Sequence, residues 1–180
     1  IVIDEIHTYR VVFGSNLANV IRRLLRLLRR HGWYLALATG KPTDISRRIL
    51  AHFDLLKYFD NVVGINETMG PDKSALIAAA LPGEYDEAWM VGDRSYDMLG
   101  ARAAGVHALG VTYGYGGREE LKDAGCEVCC DTVAEVIRFF LGDENLPGAF
   151  LSMEGPDGSG KSTQLSLLKE GLARWGYEVV

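Results

Sequence analysis

Four side chains suited to handling phosphate stand where elements of the chain begin or end. Thr39 closes an apolar run over 33–38, within Leu35-Ala-Leu-Ala-Thr39-Gly40-Lys41-Pro42. Asp93 follows a second run over 88–92, Asp97 comes four residues later, and Lys73 opens a helical pattern between the two runs. In open α/β sheets ligands bind beyond the carboxyl ends of strands, so a hydroxyl and two carboxylates carried there converge on one crevice. Two acids at this spacing suit Mg2+, which takes oxygen ligands. Lys73 is placed to reach a phosphate or to neutralise a carboxylate. The chemistry this implies is a phosphate site in which metal and ammonium offset the charge of a transferring phosphoryl group. Spacing alone also allows a plainer reading, in which Asp93 and Asp97 cap a helix and Thr39 satisfies a strand end.

A second constellation lies near the other end. Gly155-Pro-Asp157-Gly158-Ser159-Gly160-Lys161-Ser162 fits the pattern Gly-x4-Gly-Lys-Ser and falls between a predicted strand, 149–154, and a predicted helix, 161–175. Such glycines let backbone N–H groups wrap phosphates, the helix N-terminus favours an anion, Lys161 reaches the outer phosphates and Ser162 can ligate Mg2+. A purely structural glycine turn is the alternative.

The elements that must position these groups follow from periodicity. Apolar runs alternate with helical patterns from Leu17 to Leu141, the order that builds a parallel sheet with helices on both faces. The spacing predicts helices over 17–31, 44–52, 73–81, 97–104, 118–124 and 132–141, and strands over 33–38, around Val62-Val63, and over 88–92, 107–111 and 127–130. Asp72 and Asp131 stand where N-caps belong. Gly142-Asp-Glu-Asn-Leu-Pro-Gly148 is rich in breakers and reads as a linker. Beyond it come a strand, a glycine loop, a helix and the start of another strand at 177–180.

These strings resemble those of two families. Leu35 to Pro42, Lys73, and Met90-Val-Gly-Asp93-Arg-Ser-Tyr-Asp97-Met-Leu-Gly-Ala-Arg-Ala-Ala-Gly105 resemble motifs two, three and four of haloacid-dehalogenase-like phosphatases, nearest the phosphoglycolate-phosphatase-like branch, over about residues 10–141. The resemblance implies a three-layer, Rossmann-like parallel sheet and hydrolysis of a small phosphomonoester through a covalent aspartyl phosphate. It also implies that Thr39, Gly40 and Lys41 bind the substrate phosphate, that Lys73 stabilises the phosphoaspartyl group, and that Asp93 with Asp97 holds Mg2+. Residues 149–180 are similar to the opening strand, P-loop and first helix of thymidylate kinase. That likeness implies ATP and dTMP as ligands, with Gly155, Asp157, Gly158, Ser159, Gly160, Lys161, Ser162 and Thr163 binding nucleotide and Asp157 contacting a sugar hydroxyl. Gly158 stands where some members carry a catalytic arginine. A kinase of this type needs most of a further ~200-residue domain.

One departure is large. The phosphatase family opens on Asp-x-Asp-Gly-Thr after a strand, whereas Ile1-Val-Ile-Asp4-Glu5-Ile6-His7-Thr8 retains only the first acid, with Ile6 in place of the second. Residues 1–12 are therefore expected to be a cap-domain remnant, 13–141 a phosphatase core lacking its first motif, 142–148 a linker and 149–180 a truncated P-loop strand-helix unit. The central slot of the nucleophile strand would then be filled by residues 1–4, filled by strand 149–154, or left open as an exposed edge.

Composition bounds the alternatives. The 180 residues are 48% hydrophobic and 24% charged, the balance of a globular protein able to bury about 70% of its unfolded surface. Nineteen Lys and Arg against 24 Asp and Glu leave a net charge of −5, which argues against a general nucleic-acid binder. Arg22, Arg23, Arg26, Arg29 and Arg30 alternate with Ile21, Leu24, Leu25 and Leu28 at helical spacing, which reads as the wet face of one helix. No run approaches the ~20 apolar residues of a membrane span, the first residues are too acidic for a signal peptide, and a cytoplasmic location is expected. Cys126, Cys129 and Cys130 read as buried strand thiols of a reducing compartment. Oligomeric state is left open. Two function classes stand: a fragment of a fusion between a Mg2+-dependent phosphomonoesterase and a kinase that transfers a phosphoryl group from ATP to dTMP, giving ADP and dTDP, or a non-catalytic phosphate- or nucleotide-binding module.

Overall fold

The computed structural model describes residues 1–3, 14–143 and 161–174. The chain divides into two compact units, Ile1–Asp131 and Thr132–Val180.

The first unit is a six-stranded sheet with every described pairing parallel. In chain order it comprises β1 (Val2–Ile3), α1 (Gly14–Arg30), β2 (Ala36–Pro42), α2 (Thr43–His52), a short 3-10 turn (Leu56–Tyr58), β3 (Asn61–Ile65), α3 (Lys73–Ala80), β4 (Trp89–Gly92), α4 (Ser95–Ala104), β5 (His107–Val111), α5 (Arg118–Asp123) and β6 (Val128–Cys130). The strand order is β3-β2-β1-β4-β5-β6. The chain therefore winds outward from β1 through β2 to β3, then crosses back to lay β4 on the other side of β1. That reversal is the topological switch at which α/β sheets open a ligand crevice.

Residues 1–3 belong to this sheet and are not a remnant of a cap. Val2 is in register with Ala36 of β2 and Met90 of β4, and Ile3 with Leu37 and Val91. The central slot is thus filled by the start of the chain, and no open edge separates β2 from β4. Residues 149–154, the other candidate for that slot, lie outside the described residues, as do 4–12.

Register also sorts the core. Val2, Ala36, Ala38, Met90 and Ala108 share one face and pack with Leu76, Ile77 and Ala80 of α3 and Met98 and Ala101 of α4. The small alanines let those helices approach the sheet closely. Leu35, Leu37, Val91 and Leu109 alternate onto the other face and are also buried. Strands buried on both faces read as continuous apolar runs, which is why 33–38, 88–92 and 107–111 were legible as strands.

Leu24, Leu25 and Leu28 of α1 are buried, while Arg26, Arg29 and Arg30 are exposed, as the periodicity predicts. Two of the arginines also tie the helix down. Arg22 donates to the Phe53 carbonyl at 2.6 Å, and Arg29 pairs with Asp60 at 2.5 Å, whose carboxylate also accepts from Leu35 N–H at 2.9 Å. Half-exposed pairs of this kind contribute about 0–1 kcal/mol each, so their effect is to fix where β2 starts.

Asp72 caps α3 as expected, accepting from Ser74 N–H at 3.0 Å. Asp131 does not cap the following helix. Thr132 does so, accepting from Glu135 N–H at 3.1 Å, while Asp131 binds Arg118 and the Thr112 hydroxyl, each at 2.5 Å. The Thr132-x-x-Glu135 spacing is itself a capping signature that competes with Asp131 in the sequence.

The second unit contributes α6 (Val133–Leu141) and α7 (Lys161–Arg174) among the described residues. The helix expected over 161–175 is present. Helix α6, expected at the end of the phosphatase core, falls in this second unit. The glycine loop at 155–160 and the strand expected over 177–180 lie outside the described residues. No described helix is long and apolar enough to cross a membrane.

Candidate active site

The buried strand β4 delivers Asp93 to the carboxyl edge of the sheet beside the switch point, where it is fully buried. Its Oδ2 accepts from Tyr115 N–H at 2.5 Å. Tyr115 lies in the loop after β5, and that loop reaches Asp93 only because residue 114 is glycine: a Cβ there would fall 2.0 Å from Asp93 Oδ2.

Asp97, in the first turn of α4, is also fully buried. Its Oδ2 accepts from Arg94 N–H at 3.2 Å, so part of the helix-capping reading holds. Its Oδ1 lies 2.8 Å from Lys73 Nζ. Lys73 opens α3, is 8% exposed, and donates to the Ala38 carbonyl at 2.8 Å. The Tyr96 ring centroid lies 5.6 Å from the same ammonium. Gly100 of α4 makes this possible, since a Cβ there would come within 2.5 Å of Lys73 Cγ. One ammonium thus joins the end of β2 to the first turn of α4 across the switch point.

Thr39 follows Ala38 and is 1% exposed, with its hydroxyl 3.4 Å from Lys41 N–H, a long contact. Gly40 is exposed and Lys41 half-buried. Strand β2 does not stop at residue 38 as the apolar run suggests. It continues to Pro42 with an irregularity between Thr39 and Pro42, so Gly40 and Lys41 lie in a bulged strand end. The Thr43 hydroxyl fixes that end by accepting from Gly64 N–H at 3.0 Å and donating to the Gly64 carbonyl at 3.2 Å.

The structure therefore brings Thr39, Lys73, Asp93 and Asp97 to one edge. Of the nucleotide-binding candidates, Gly155, Asp157, Gly158, Ser159 and Gly160 lie outside the described residues, while Lys161, Ser162 and Thr163 begin α7. Asp4 and Ile6 also lie outside them. The cysteines are not all strand thiols: Cys126 is in the turn before β6, half-buried, and burial together with a hydrogen bond to Cys129 raises its thiol pKa to about 11.

Two contributors escape a reading of side-chain types. The Tyr115 backbone N–H is one, although the glycine run Gly114-Tyr-Gly-Gly117 at a strand end was a visible signal. Glu120 is the other. It accepts from Ser95 N–H at 2.9 Å and from Arg94 Nε at 3.0 Å, fixing the start of α4, and these bonds hold its carboxyl down at about 2.

Two buried carboxylates beside one ammonium form an oxygen-donor set with surplus negative charge, which fits a hard cation such as Mg2+ and not a thiophilic metal. Asp93 and Asp97 are the described residues that would hold it. No cluster of three or more His, Cys, Asp or Glu set to bind a metal occurs among the described residues.

Comparison with known proteins agrees with this geometry. The sequence pattern of the haloacid dehalogenase-like hydrolases matches residues 6–111, more than half of the chain. The chain belongs to that family. It is 37% identical over 116 residues to a 5'-nucleotidase of Pseudomonas aeruginosa, covering 62% of this chain and 52% of that protein. It is 40% identical over 93 residues to a phosphoglycolate phosphatase of Cereibacter sphaeroides, covering 51% and 43%. A crystal structure of a predicted phosphatase from Clostridium acetobutylicum superimposes with a TM-score of 0.61 at 39% identity, covering 67% of this chain and 58% of that one. The chain spans about half the length of the curated relatives it matches. The family match ends at residue 111 and so excludes the tail. The relatives named here are phosphatases or a nucleotidase, so the ATP and dTMP expected for that tail draw no support from them.

The ion pair makes a thermodynamic prediction. Lys73→Met keeps the apolar stem but strips the ammonium from a buried carboxylate, and is expected to cost about 3 kcal/mol in metal-free buffer. Adding Asp97→Asn removes the stranded charge, so the double variant should regain at least ~1 kcal/mol in urea unfolding. Strictly additive losses would show that the two groups do not act as a pair.

Proposed function

We propose that the chain carries the core of a Mg2+-dependent phosphomonoester hydrolase acting on a small phosphorylated metabolite. The observation that carries this reading is the Lys73 ammonium bridging the Ala38 carbonyl and Asp97 at the switch point, with Thr39 and Asp93 on the same edge. In this reading Thr39, Gly40, Lys41 and Lys73 bind the substrate phosphate. The attacking group is Asp4, which directly follows Ile3 of the central strand, itself in register with Leu37 and Val91. An Asp4 carboxylate oxygen bonds to phosphorus while the ester oxygen leaves with the bonding electron pair, and water then releases inorganic phosphate. Bound Mg2+ would offset charge on the phosphoryl oxygens. Lys73 does the same from the protein side, its ammonium held in place by Ala38 and Asp97 and so needing no reorganisation.

Ile6 supplies no proton to the leaving group, so esters with good leaving groups are favoured over alkyl esters. The 5'-nucleotidase and phosphoglycolate phosphatase among the relatives support a phosphomonoester as substrate.

The expected result with the 180-residue chain is slow Mg2+-dependent hydrolysis of p-nitrophenyl phosphate, reduced at least ~100-fold by Asp4→Asn and by Asp93→Asn. Turnover indifferent to Asp4→Asn would remove Asp4 from its role. Phosphate binding with no turnover at all would favour the non-catalytic module.

The tail is read separately, as the opening of an ATP- and dTMP-using kinase. Its support is the glycine pattern ending at Lys161-Ser162, the residues with which α7 opens. Titration with MgATP is expected to show weak saturable binding that Lys161→Ala abolishes; binding unchanged by that substitution, or none, would overturn this reading.

A further inference from the structure

Two tyrosines at the edge that carries the phosphate site leave much of their surface in water. Tyr96 is 45% exposed, with its ring 5.6 Å from the Lys73 ammonium. Tyr115 is 66% exposed, although its own N–H is bound to the buried Asp93. In both cases the backbone is fixed and the side chain open. Tyr96 stands in the first turn of α4, whose start is held by Glu120 through Ser95 N–H and Arg94. Tyr115 is flanked by Gly114 and Gly116, and a Cβ on either would fall 2.0 Å from an Asp93 oxygen, so the loop is pressed onto that residue.

Tyrosine offers a large, stiff, amphipathic contact surface at small conformational-entropy cost. The bond from Tyr115 to Asp93 comes from its backbone N–H and leaves its ring out of that contact. Neighbouring Tyr113 is itself 42% exposed, while burial of its hydroxyl raises its pKa.

We propose that Tyr96 and Tyr115 form an aromatic rim on the phosphate site and select phosphomonoesters whose leaving group carries a planar π system over aliphatic ones. The selected group is a ring that stacks, whether a nucleobase or a phenol. This inference rests on the phosphate-site reading above and adds the class of substrate. Lys73, with the cation that Asp93 and Asp97 would hold, would serve the phosphoryl end, common to all phosphomonoesters, so discrimination must come from groups beyond it. Tyr96, with its ring beside the Lys73 ammonium, and Tyr115, the more exposed of the loop tyrosines and bound to Asp93 through its N–H, offer surfaces suited to that task.

The test uses the whole 180-residue chain with Mg2+ and non-hydrolysable probes, so that affinity is read without turnover. Inorganic phosphate, propylphosphonate, benzylphosphonate and the 5'-phosphonate of thymidine are titrated calorimetrically. The benzyl or thymidine probe should bind roughly 5- to 20-fold tighter than the propyl probe. Tyr115→Ala keeps the N–H that binds Asp93 and should erode that preference while leaving inorganic phosphate affinity within about twofold, and Tyr96→Ala should erode the preference as well. Tyr115→Phe and Tyr96→Phe should retain it. Preference for both aromatic probes would identify the ring as the determinant, and preference for thymidine alone would identify a nucleobase. Equal binding of aromatic and aliphatic probes, or a preference that survives both alanine variants, would overturn the rim while leaving the phosphate site standing. A chain that binds no inorganic phosphate would overturn both.

Discussion

Two residues, Val2 and Ile3, join the two halves of the sheet. Without them β2 and β4 would stand about 10 Å apart, two strand spacings, each with a row of unpaired backbone donors and acceptors facing the gap. With them in place, Ala36 N–H finds the Ile1 carbonyl at 2.9 Å, and Val2 packs into the face shared by Ala36, Ala38 and Met90. Everything that defines the site depends on that closure. Lys73 reaches from α3 to both Ala38 and Asp97 only when the end of β2 and the start of α4 are held at the separation that one intervening strand sets.

The site is a second, electrostatic closure built over the first. Two buried carboxylates and one buried ammonium are costly to desolvate, and an apolar core would be cheaper. Their burial at a strand edge with glycine-limited approaches, at Gly100 against Lys73 and Gly114 against Asp93, is the arrangement that the proposed phosphate site calls for. The supports around it hold their positions through backbone groups. Tyr115 offers an N–H, Ala38 a carbonyl, and Glu120 gathers the Ser95 N–H and the Arg94 guanidinium.

How much of this was legible in the sequence follows from the same physics. Strands buried on both faces announce themselves as apolar runs, so β2, β4 and β5 are legible, and with them the places of Thr39 and Asp93 and of Asp97 in the helix that follows. The place of Lys73 is legible because it opens a helix after the Asp72 cap. A two-residue strand has no periodicity, and strand order is a matter of long-range pairing, so the place of Val2 and Ile3 between β2 and β4 could be posed only as one of three possibilities. The sequence alone does not decide the cap of α6, because Asp131 and Thr132 are both good cap residues. Arg118 and Thr112, neither close in sequence, decide the matter by binding Asp131. The grip of Tyr115 on Asp93 is not legible from side-chain type, because a backbone N–H is the same in every residue; the glycines around it are the signal the sequence offers.

The most direct test of the account is native-state hydrogen exchange at the Ala36 amide, whose partner is the Ile1 carbonyl. With β1 seated between β2 and β4, Ala36 should exchange only when the whole sheet opens, with protection matching that of the Met90 and Leu109 amides in the neighbouring strands. An Ala36 amide that exchanges freely while Leu109 stays protected would show that the central slot is not filled by residues 1–3, and the site built across it would lose its foundation.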